Sequence, residues 1–255
     1  MKKTFIRTAN YNRMVAGVDA LVSRDPSLPG LGLIYGKWGY GKSTAVEYYY
    51  SISDVFYIVI ERLWRPRRML EEICDILNLG DSEYRLDRLS DQVSEGLKKW
   101  GKPLFIDEAD YLLKNSMMLD VIRDIHEKTR VPIILIGMEK LYRNLQKHGQ
   151  FFSRILPASI VEFYPVKPPE IILITREWTG LELDMDAAEL FCHYVEGDYR
   201  YIVGYLLSFE QACKANKMDK INIKMVESVV NRYTQKMKRI PQKNNTPKIT
   251  ITGRP

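Results

Sequence analysis

The sequence predicts an α/β protein: a parallel sheet with helices on both faces, followed by a C-terminal helical lid. Four short segments are apolar on both sides, as the buried strands of a parallel sheet are. Helical stretches with one apolar face separate them, and this alternation is typical of a sheet in the middle of three layers. After Pro165, Pro168 and Pro169 only helical periodicity is recognisable, which indicates the lid.

The individual elements follow from these patterns. The buried strands are expected at 31–35, 55–60, 103–107 and 133–137. The helices that cover them are expected at 8–24, 42–51, 66–77, 84–100 and 115–129. Pro66 suits the first turn of its helix, where no backbone N–H donor is needed. Three or four lid helices are expected near 169–178, 186–194, 199–214 and 222–238, and no strand is expected among them.

The net charge of +6 is concentrated at the C-terminus. From position 235 onward the chain has six basic residues and no acidic one, so the remainder is formally neutral. This distribution excludes a uniformly basic coat protein for nucleic acid. We expect the segment 235–255, which contains Pro241 and Pro247, to be a flexible basic tail.

The positions of cysteine, histidine and apolar residues argue against a metal-binding, membrane-spanning or secreted protein. The three cysteines (Cys74, Cys192, Cys213) and three histidines are scattered without metal-binding spacing, so we expect reduced thiols in a cytoplasmic protein. No apolar run approaches the ~18 residues of a membrane span, and we expect no contact with a membrane. The first residues show no apolar signal segment, so no secretion is expected.

A glycine-rich motif follows the first predicted strand. Residues 36–43 fit the pattern G-x-x-x-x-G-K-[ST], between a strand and a helix. The glycines let the backbone wrap phosphate groups, with N–H groups at a helix start pointing inward. Lys42 is expected to bridge the β- and γ-phosphates of ATP, and Ser43 to ligate Mg²⁺. The predicted nucleotide-binding residues are Gly36, Gly39, Tyr40, Gly41, Lys42, Ser43 and Thr44.

Two acidic residues end the third predicted strand. The strand delivers Asp107 to its carboxyl edge, where a carboxylate can hold Mg²⁺ or its water shell. Glu108 comes next and can polarise the water that attacks the γ-phosphate. An exposed acidic pair at a strand end is the alternative. The phosphate-binding motif upstream favours the catalytic interpretation.

These motifs together resemble an AAA+ ATPase: the P-loop, residues 105–110, Ser153-Arg154, and residues 197–200 within the lid. The segments 57–66, 105–112 and 134–141 resemble more narrowly the transposition regulators of the Mu-phage B protein and TnsC type. The resemblance implies an AAA+ nucleotide-binding core at 1–165 and a helical lid subdomain at 166–234. It also implies a bacterial or phage protein that self-associates into a ring or helical filament.

The resemblance further implies roles for two arginines in catalysis. ATP lies between neighbouring subunits in this family, so Arg154 is expected to reach the next subunit's site as an arginine finger. Arg200 matches a second sensor arginine, which contacts phosphate from the lid. A helix-capping arginine and an ordinary salt bridge are the alternatives. The fourth strand ends at Met138, where this family usually has a polar first sensor, so hydrolysis is expected to be slow unless a neighbour substitutes.

A cluster of arginines follows the second predicted strand. By resemblance, this loop and helix start line the inner surface of a filament and follow the backbone of double-stranded DNA without reading its sequence. The alternative is a solvated face that pairs with Glu71 and Glu72. Trp64 is expected to pack, and a second contact near 81–82 has weaker support. The predicted DNA-binding residues are Arg62, Arg65, Arg67 and Arg68.

The sequence thus favours an ATP-dependent, sequence-nonspecific DNA-binding ATPase that oligomerises on target DNA and recruits or activates a transposase. A helicase loader or replication initiator of the same superfamily shares the nucleotide site and stays open as an alternative. An inactive scaffold with structural ATP is a third interpretation. Glu108 argues against that scaffold, whereas Met138 is compatible with it.

Overall fold

A computed structural model describes residues 4–238. Five parallel strands form one sheet. The strands are β1 (Leu31–Gly36), β2 (Phe56–Val59), β3 (Leu104–Asp107), β4 (Ile133–Gly137) and β5 (Ile155–Phe163). Their order across the sheet is β2-β3-β4-β1-β5. Strands β1 to β4 lie where the apolar segments predict them, and the predicted α/β fold with helices on both faces of a parallel sheet is confirmed.

Helices connect the strands and continue into the C-terminal part. In the first part of the chain they are α1 (Ala9–Val22), α2 (Lys42–Ile52), α3 (Pro66–Leu77), α4 (Leu86–Trp100), α5 (Ser116–Thr129), α6 (Glu139–Leu145) and α7 (Gly149–Phe152). A 3₁₀ helix, Ala109–Lys114, follows β3. The later helices are α8 (Pro168–Thr179), α9 (Met185–Val195), α10 (Tyr199–Asn216) and α11 (Ile223–Lys238).

The sheet separates two apolar layers because successive side chains of a strand point to opposite faces. Leu104 and Ile106 of β3 pack with α3, α4 and α5, whereas Phe105 between them packs with α1 and α2. All three side chains are at most 1% exposed. Burying each of them contributes roughly 1.5–3 kcal/mol, which fixes the register of β3 and therefore the position of the residues that end it.

The fifth strand was not predicted, because its sequence lacks a continuous apolar run. β5 is an edge strand, and Pro157 lies where its pairing with β1 shifts register between Leu31 and Leu33. An edge strand tolerates proline because one side needs no ladder hydrogen bonds. Only alternate residues near its end are buried.

The C-terminal part contains α8–α11 around its own apolar cluster, which starts at Val166. Phe191 and Phe209 meet edge to face within it, with ring centroids 5.2 Å apart. The expectation that strands stop after Pro165 is wrong. Two short parallel strands, β6 (Glu182–Leu183) and β7 (Lys220–Ile221), pair there. Two residues are too few to produce a readable alternation.

Two other expectations concern the surface of the chain. Within residues 4–238, no helix is long and apolar enough to cross a membrane. The predicted flexible basic tail starts at 235, inside the span of α11, and its residues from 239 onward lie outside the described residues.

Candidate nucleotide-binding site

The phosphate loop, residues 36–43, joins β1 to the start of α2. Gly39 and Gly41 have φ angles of 82° and 81°, which residues with a side chain rarely adopt. A Cβ atom at Gly39 would also collide with the Asp198 carboxylate, and one at Gly41 would lie 3.3 Å from the Tyr199 ring. Glycine is therefore required at both positions for the loop to lie this close to the lid.

Lys42 begins α2, and its side chain folds back across the phosphate loop. Its Nζ donates to the carbonyl oxygens of Gly36 at 2.8 Å and Lys37 at 3.0 Å. Burial lowers the pKa of this amine, while the charge of Asp107 acts in the opposite direction. The ammonium group lies next to the free N–H groups of a helix start, which is an arrangement suited to phosphate.

Asp107 is held rigidly at the end of β3. One carboxylate oxygen accepts a hydrogen bond from Tyr57 Oη at 3.0 Å and the other from the backbone N–H of Glu108 at 2.7 Å. Tyr57 lies on the adjacent strand β2, and burial together with the Asp107 charge raises its pKa. The sequence reasoning missed Tyr57, although a polar side chain in an otherwise apolar strand is a recognisable signal.

Glu108 has a left-handed backbone conformation, with φ of 53°. This turn directs the chain from β3 into the 3₁₀ helix and leaves the Glu108 side chain exposed beside the phosphate loop. Loss of hydration raises the pKa of the carboxyl group, and Asp107 and Asp110 raise it further, against Lys42 and Lys140. A raised pKa suits a group that accepts a proton from water.

A cleft of about 330 Å³ joins most of the predicted nucleotide-site residues, although Gly36 and Tyr40 do not line it. The phosphate loop forms one wall, the ends of β3 and β4 form the second, and the start of α10 forms the third. Its lining includes the predicted Gly39, Gly41, Lys42, Ser43, Thr44, Asp107, Glu108 and Arg200, together with Trp38, Gly137, Met138 and Tyr199. Residues far apart in sequence thus meet in one place that offers donors for phosphate and carboxylates for a cation.

Met138 lies at the end of β4 and lines this cleft with an apolar thioether side chain. Its backbone N–H donates to Asp110 Oδ2 at 2.6 Å. Asp110 is 8% exposed, and its other carboxylate oxygen has no hydrogen-bond partner among the described residues. The end of β4 is therefore fixed by its backbone, not by a polar side chain of its own.

A second, apolar pocket of about 390 Å³ adjoins the phosphate loop on its other side. It is large enough for a planar aromatic base, and apolar side chains dominate its lining. The sequence does not predict this pocket, because its residues come from five separate segments with no common motif. They include Phe5, Ile6, Tyr40, Thr44, Ile174, Trp178 and Val203.

Residues 196–200, here called the lid elbow, lie along the phosphate loop. Glu196 forms an ion pair with Lys37 at 3.3 Å, and the backbone N–H of Tyr199 donates to Gly39 O at 2.9 Å. Arg200 lies over the Trp38 ring, 5.0 Å from its centroid. The lid therefore contacts the loop directly at several points.

Comparisons with known proteins agree with this geometry. Residues 24–145 match the family model described as an AAA domain. A potential ATP-binding protein of Staphylococcus aureus is 22% identical over 265 residues, covering 89% of this chain and 95% of that protein. The fold is that of a P-loop AAA+ protein. Domain III of the Thermotoga maritima replication initiation protein DnaA superposes with a TM-score of 0.51 at 15% identity, covering 90% of this chain and 94% of that domain.

Two further matches cover a smaller share of the matched protein. The ATP-dependent target DNA activator B of Escherichia phage Mu is 26% identical over 156 residues, which cover 58% of this chain and about half, 49%, of the phage protein. The Aeropyrum pernix ORC2 protein superposes with a TM-score of 0.63 at 16% identity, covering 94% of this chain and 72% of that one. Together the matches support an AAA+ ATPase.

Arg154 lies beside the start of β1, whereas the phosphate loop follows the end of that strand. The carbonyl oxygen of Arg154 accepts a hydrogen bond from the N–H of Leu31, which is the first residue of β1. The phosphate loop begins at Gly36, the last residue of the same strand. A six-residue strand separates the two by about 20 Å. The guanidinium group is paired with Glu127 at 2.8 Å and is 44% exposed. Arg154 therefore lies far from the phosphate loop of its own chain.

The arginines after β2 fall into two groups. Arg67 pairs with Glu71 at 2.8 Å, and Arg68 pairs with Glu72 at 2.7 Å. For these two the pairing that the sequence left open as an alternative is observed. Arg62 and Arg65 are exposed, and neither has an ion pair within residues 4–232.

Proposed function

We propose that the protein is an ATP-dependent, sequence-nonspecific DNA-binding ATPase that oligomerises on target DNA and recruits or activates a transposase. The observation that carries this proposal is the cleft in which the phosphate loop, Asp107, Glu108 and Arg200 meet. The similarity to the phage Mu target DNA activator B supports the DNA part.

The residues of the cleft have the chemistry that ATP hydrolysis needs. The loop N–H groups and Lys42 would hold the β- and γ-phosphates. Ser43 and Asp107 fit Mg²⁺, which prefers oxygen ligands and keeps contacts to phosphate and water. Among the described residues no group of three or more His, Cys, Asp or Glu side chains could hold a metal alone. The ion would therefore bind together with the nucleotide, and Glu108 would orient and deprotonate the attacking water.

Assembly would complete the site. Because Arg154 is exposed beside the start of β1, far from its own phosphate loop, a neighbouring subunit is the partner that its geometry allows. An arginine from outside stabilises the charge that develops on the transferred phosphoryl group. The apolar Met138 provides no hydrogen bond to water, so we expect turnover to stay slow. A rate comparable to that of a motor protein would contradict this expectation.

DNA would lie against the loop that follows β2. Arg62 and Arg65 are the arginines there without an ion pair among the described residues, so they remain free for phosphates. Arg67 has a different role, because it donates to the carbonyl oxygens of Glu83 and Tyr84 and thereby joins this loop to the one before α4. Leu63, in the loop after β2, and Tyr84, in the loop before α4, are 88% and 90% exposed.

A helicase loader or replication initiator is the second candidate. The fold similarity to the replication initiation protein DnaA covers nearly all of that domain, and it favours this candidate as much as the first. The two differ in their partners. A loader would bind a hexameric helicase, whereas a transposition regulator would assemble on duplex DNA in the presence of ATP.

The test is fluorescence anisotropy of a labelled random-sequence duplex with ATP, with ADP and without nucleotide. We expect tight binding with ATP alone, and its loss in Lys42→Ala together with ATP binding. Glu108→Gln should bind ATP normally and prolong the lifetime of the DNA complex, because the step that releases it is blocked. DNA complexes of Glu108→Gln that turn over at the normal rate would rule out Glu108 as the base.

A further inference from the structure

Asp198 precedes α10 and forms a two-point contact with Arg200. The Asp198 side chain is 7% exposed, and Arg200 Nε and Nη2 donate to its two oxygens at 3.1 and 2.9 Å. The backbone N–H of Arg200 donates to the same carboxylate at 2.9 Å. Although burial acts to raise the pKa of Asp198, these hydrogen bonds hold it below its usual value, so the group is ionised.

The phosphate loop provides the other contact of the same guanidinium. Arg200 lies over Trp38, and the Asp198 carboxylate lies against the Cα atom of Gly39. The guanidinium is therefore fixed between a lid carboxylate and an aromatic ring of the loop, at the wall of the nucleotide cleft. Its 68% exposed side chain leaves room to turn toward the cleft.

A carboxylate and a phosphate group can bind an arginine side chain in the same geometry. Both accept two parallel N–H hydrogen bonds from the guanidinium fork, and a phosphate carries the greater charge. We propose that Asp198 is a specificity-determining positioning residue, which holds Arg200 until the γ-phosphate of ATP replaces the carboxylate. ADP lacks that group and leaves the pair intact. The inference rests on the proposed contact of Arg200 with phosphate.

The exchange of the carboxylate for the γ-phosphate also provides a way for ATP to alter the attachment of the lid. The Tyr199 N–H and the Glu196 carboxylate attach the lid elbow to Gly39 and Lys37 of the loop. The Asp198–Arg200 pair lies within the elbow, so the contact with the loop that Arg200 would give up on turning to the phosphate is the one with the Trp38 ring, while those of Glu196 and Tyr199 remain. ATP and ADP would then differ in how firmly the lid is attached, through a residue that touches neither base nor metal.

Substitutions of Asp198 can distinguish its proposed role in holding Arg200 from its role in capping α10. Asn and Ser preserve the side-chain acceptor that caps α10, and both remove the charge that holds Arg200. We expect Asp198→Asn and Asp198→Ser to bind a nonhydrolysable ATP analogue about two- to fivefold more tightly relative to ADP, since an ion pair whose arginine is largely exposed contributes little. Calorimetric titration measures both dissociation constants, and thermal unfolding verifies the fold.

Two controls make the result specific. Glu196→Gln removes the ion pair to Lys37 at the same elbow without touching Arg200, and the ratio of ATP to ADP affinity should stay at the wild-type value. In an Arg200→Ala background, Asp198→Asn should leave the ratio unchanged, because the held group is absent. Charge repulsion between Asp198 and nucleotide would instead persist in that background.

The possible failures are distinguishable. If Arg200→Ala does not alter the ATP to ADP affinity ratio, the proposed contact of Arg200 with phosphate is wrong. If Arg200→Ala lowers the ratio but neither Asp198 variant raises it, only the role of Asp198 is overturned. An Asp198→Asn or Asp198→Ser variant that binds ATP more weakly than wild type would overturn it as well, since Asp198 would then assist binding.

Discussion

At the residue scale, backbone conformation decides which side chains can form the nucleotide site. Gly39 and Gly41 are left-handed where the lid lies against the loop, and Glu108 is left-handed although it has a side chain. Such a conformation costs about 1 kcal/mol or more for a residue other than glycine. The cost at Glu108 is compatible with a functional turn, because it places this residue in the cleft that Lys42 also lines.

Gly39→Ala tests the fit between loop and lid. The added Cβ would strain the backbone and collide with Asp198, so we expect ATP binding to be lost and the lid contact to loosen. Gly204→Ala in α10 is the matched control, because nothing lies within 4 Å of the new Cβ. That control should stabilise the protein by roughly 0.5–1 kcal/mol and leave ATP binding unchanged. Equal nucleotide affinity in both variants would contradict the steric account.

His126 makes the stability of the fold depend on pH. Its ring is 1% exposed, Nδ1 lies 2.9 Å from Val131 O, and burial, aided by Arg24 and Arg130, lowers its pKa. The folded state therefore favours the neutral ring, while the unfolded chain binds a proton near pH 6.5. Stability should be complete above about pH 6.5 and fall by up to ~1.4 kcal/mol per pH unit below it.

Urea unfolding between pH 7.5 and 5.5 measures this dependence. The same series on His126→Gln is the control, because glutamine keeps a hydrogen-bonding group but cannot take up a proton. Its midpoints should change less with pH than those of the wild type. An identical slope in both proteins would mean that other groups cause the pH dependence.

At this scale the sequence predicted what a local motif can show. Lys42, Ser43, Asp107 and Glu108 were named because their spacing and their place at strand ends are local properties. Asp198 was overlooked, although it is two residues from Arg200, because an acidic residue before a helix usually indicates only a cap. The apolar pocket was not predictable, since its lining is brought together by tertiary packing.

At the element scale, the loop after β2 and its helix show how ion pairs divide similar residues into two roles. Arg67 and Arg68 are one turn from Glu71 and Glu72 on α3, and they are neutralised there. Arg62 and Arg65 precede the helix, where no acidic side chain of the described residues forms an ion pair with them. Sequence could not separate the two pairs, because the orientation of α3 decides which arginines face an acid.

Alanine variants of the two pairs test this division. The double variant Arg62→Ala with Arg65→Ala should weaken DNA binding. It should also reduce the slope of log Kd plotted against the logarithm of the salt concentration by about 2. Arg67→Ala with Arg68→Ala should leave the salt dependence near its wild-type value, because these charges are already paired. Both double variants should keep normal ATP affinity. The proposed DNA surface is wrong if the first variant keeps the full salt dependence.

Strand prediction failed at three strands for a common reason. The inner strands are apolar on both faces and are recognisable without knowledge of the fold. β5 is an edge strand that contains Pro157, and β6 and β7 have two residues each. Their pairing depends on neighbours distant in sequence. Tertiary contacts therefore determine whether these strands form, and no local sequence pattern predicts them.

At the scale of the whole molecule, the proposed arginine finger lies far from the phosphate loop of its own chain, so the proposal requires a second copy to complete the nucleotide site. Arg154 lies beside the start of β1, and the phosphate loop follows the end of that strand. A head-to-tail arrangement of copies would therefore bring Arg154 of one copy to the phosphate loop of the next. In the isolated chain Arg154 is paired with Glu127, and the hydrogen bond from Arg154 lowers the pKa of this carboxyl group. Assembly would have to replace that pair.

Subunit mixing tests the shared site. Lys42→Ala subunits keep Arg154 but cannot bind ATP, whereas Arg154→Ala subunits bind ATP but lack the finger. Each alone should be inactive. A one-to-one mixture should regain ATPase activity, since about a quarter of head-to-tail interfaces would combine an intact site with an intact Arg154. A mixture that stays as inactive as its components would show that Arg154 does not act between subunits.

The central claim is that ATP drives assembly of this protein on duplex DNA. Electron microscopy of the purified protein with a long duplex and a nonhydrolysable ATP analogue tests it most directly. We expect regular protein coats along the DNA with the analogue and bare DNA with ADP or with Lys42→Ala. Bare DNA in every nucleotide state, with closed rings forming only on a hexameric helicase, would contradict the claim and favour a helicase loader.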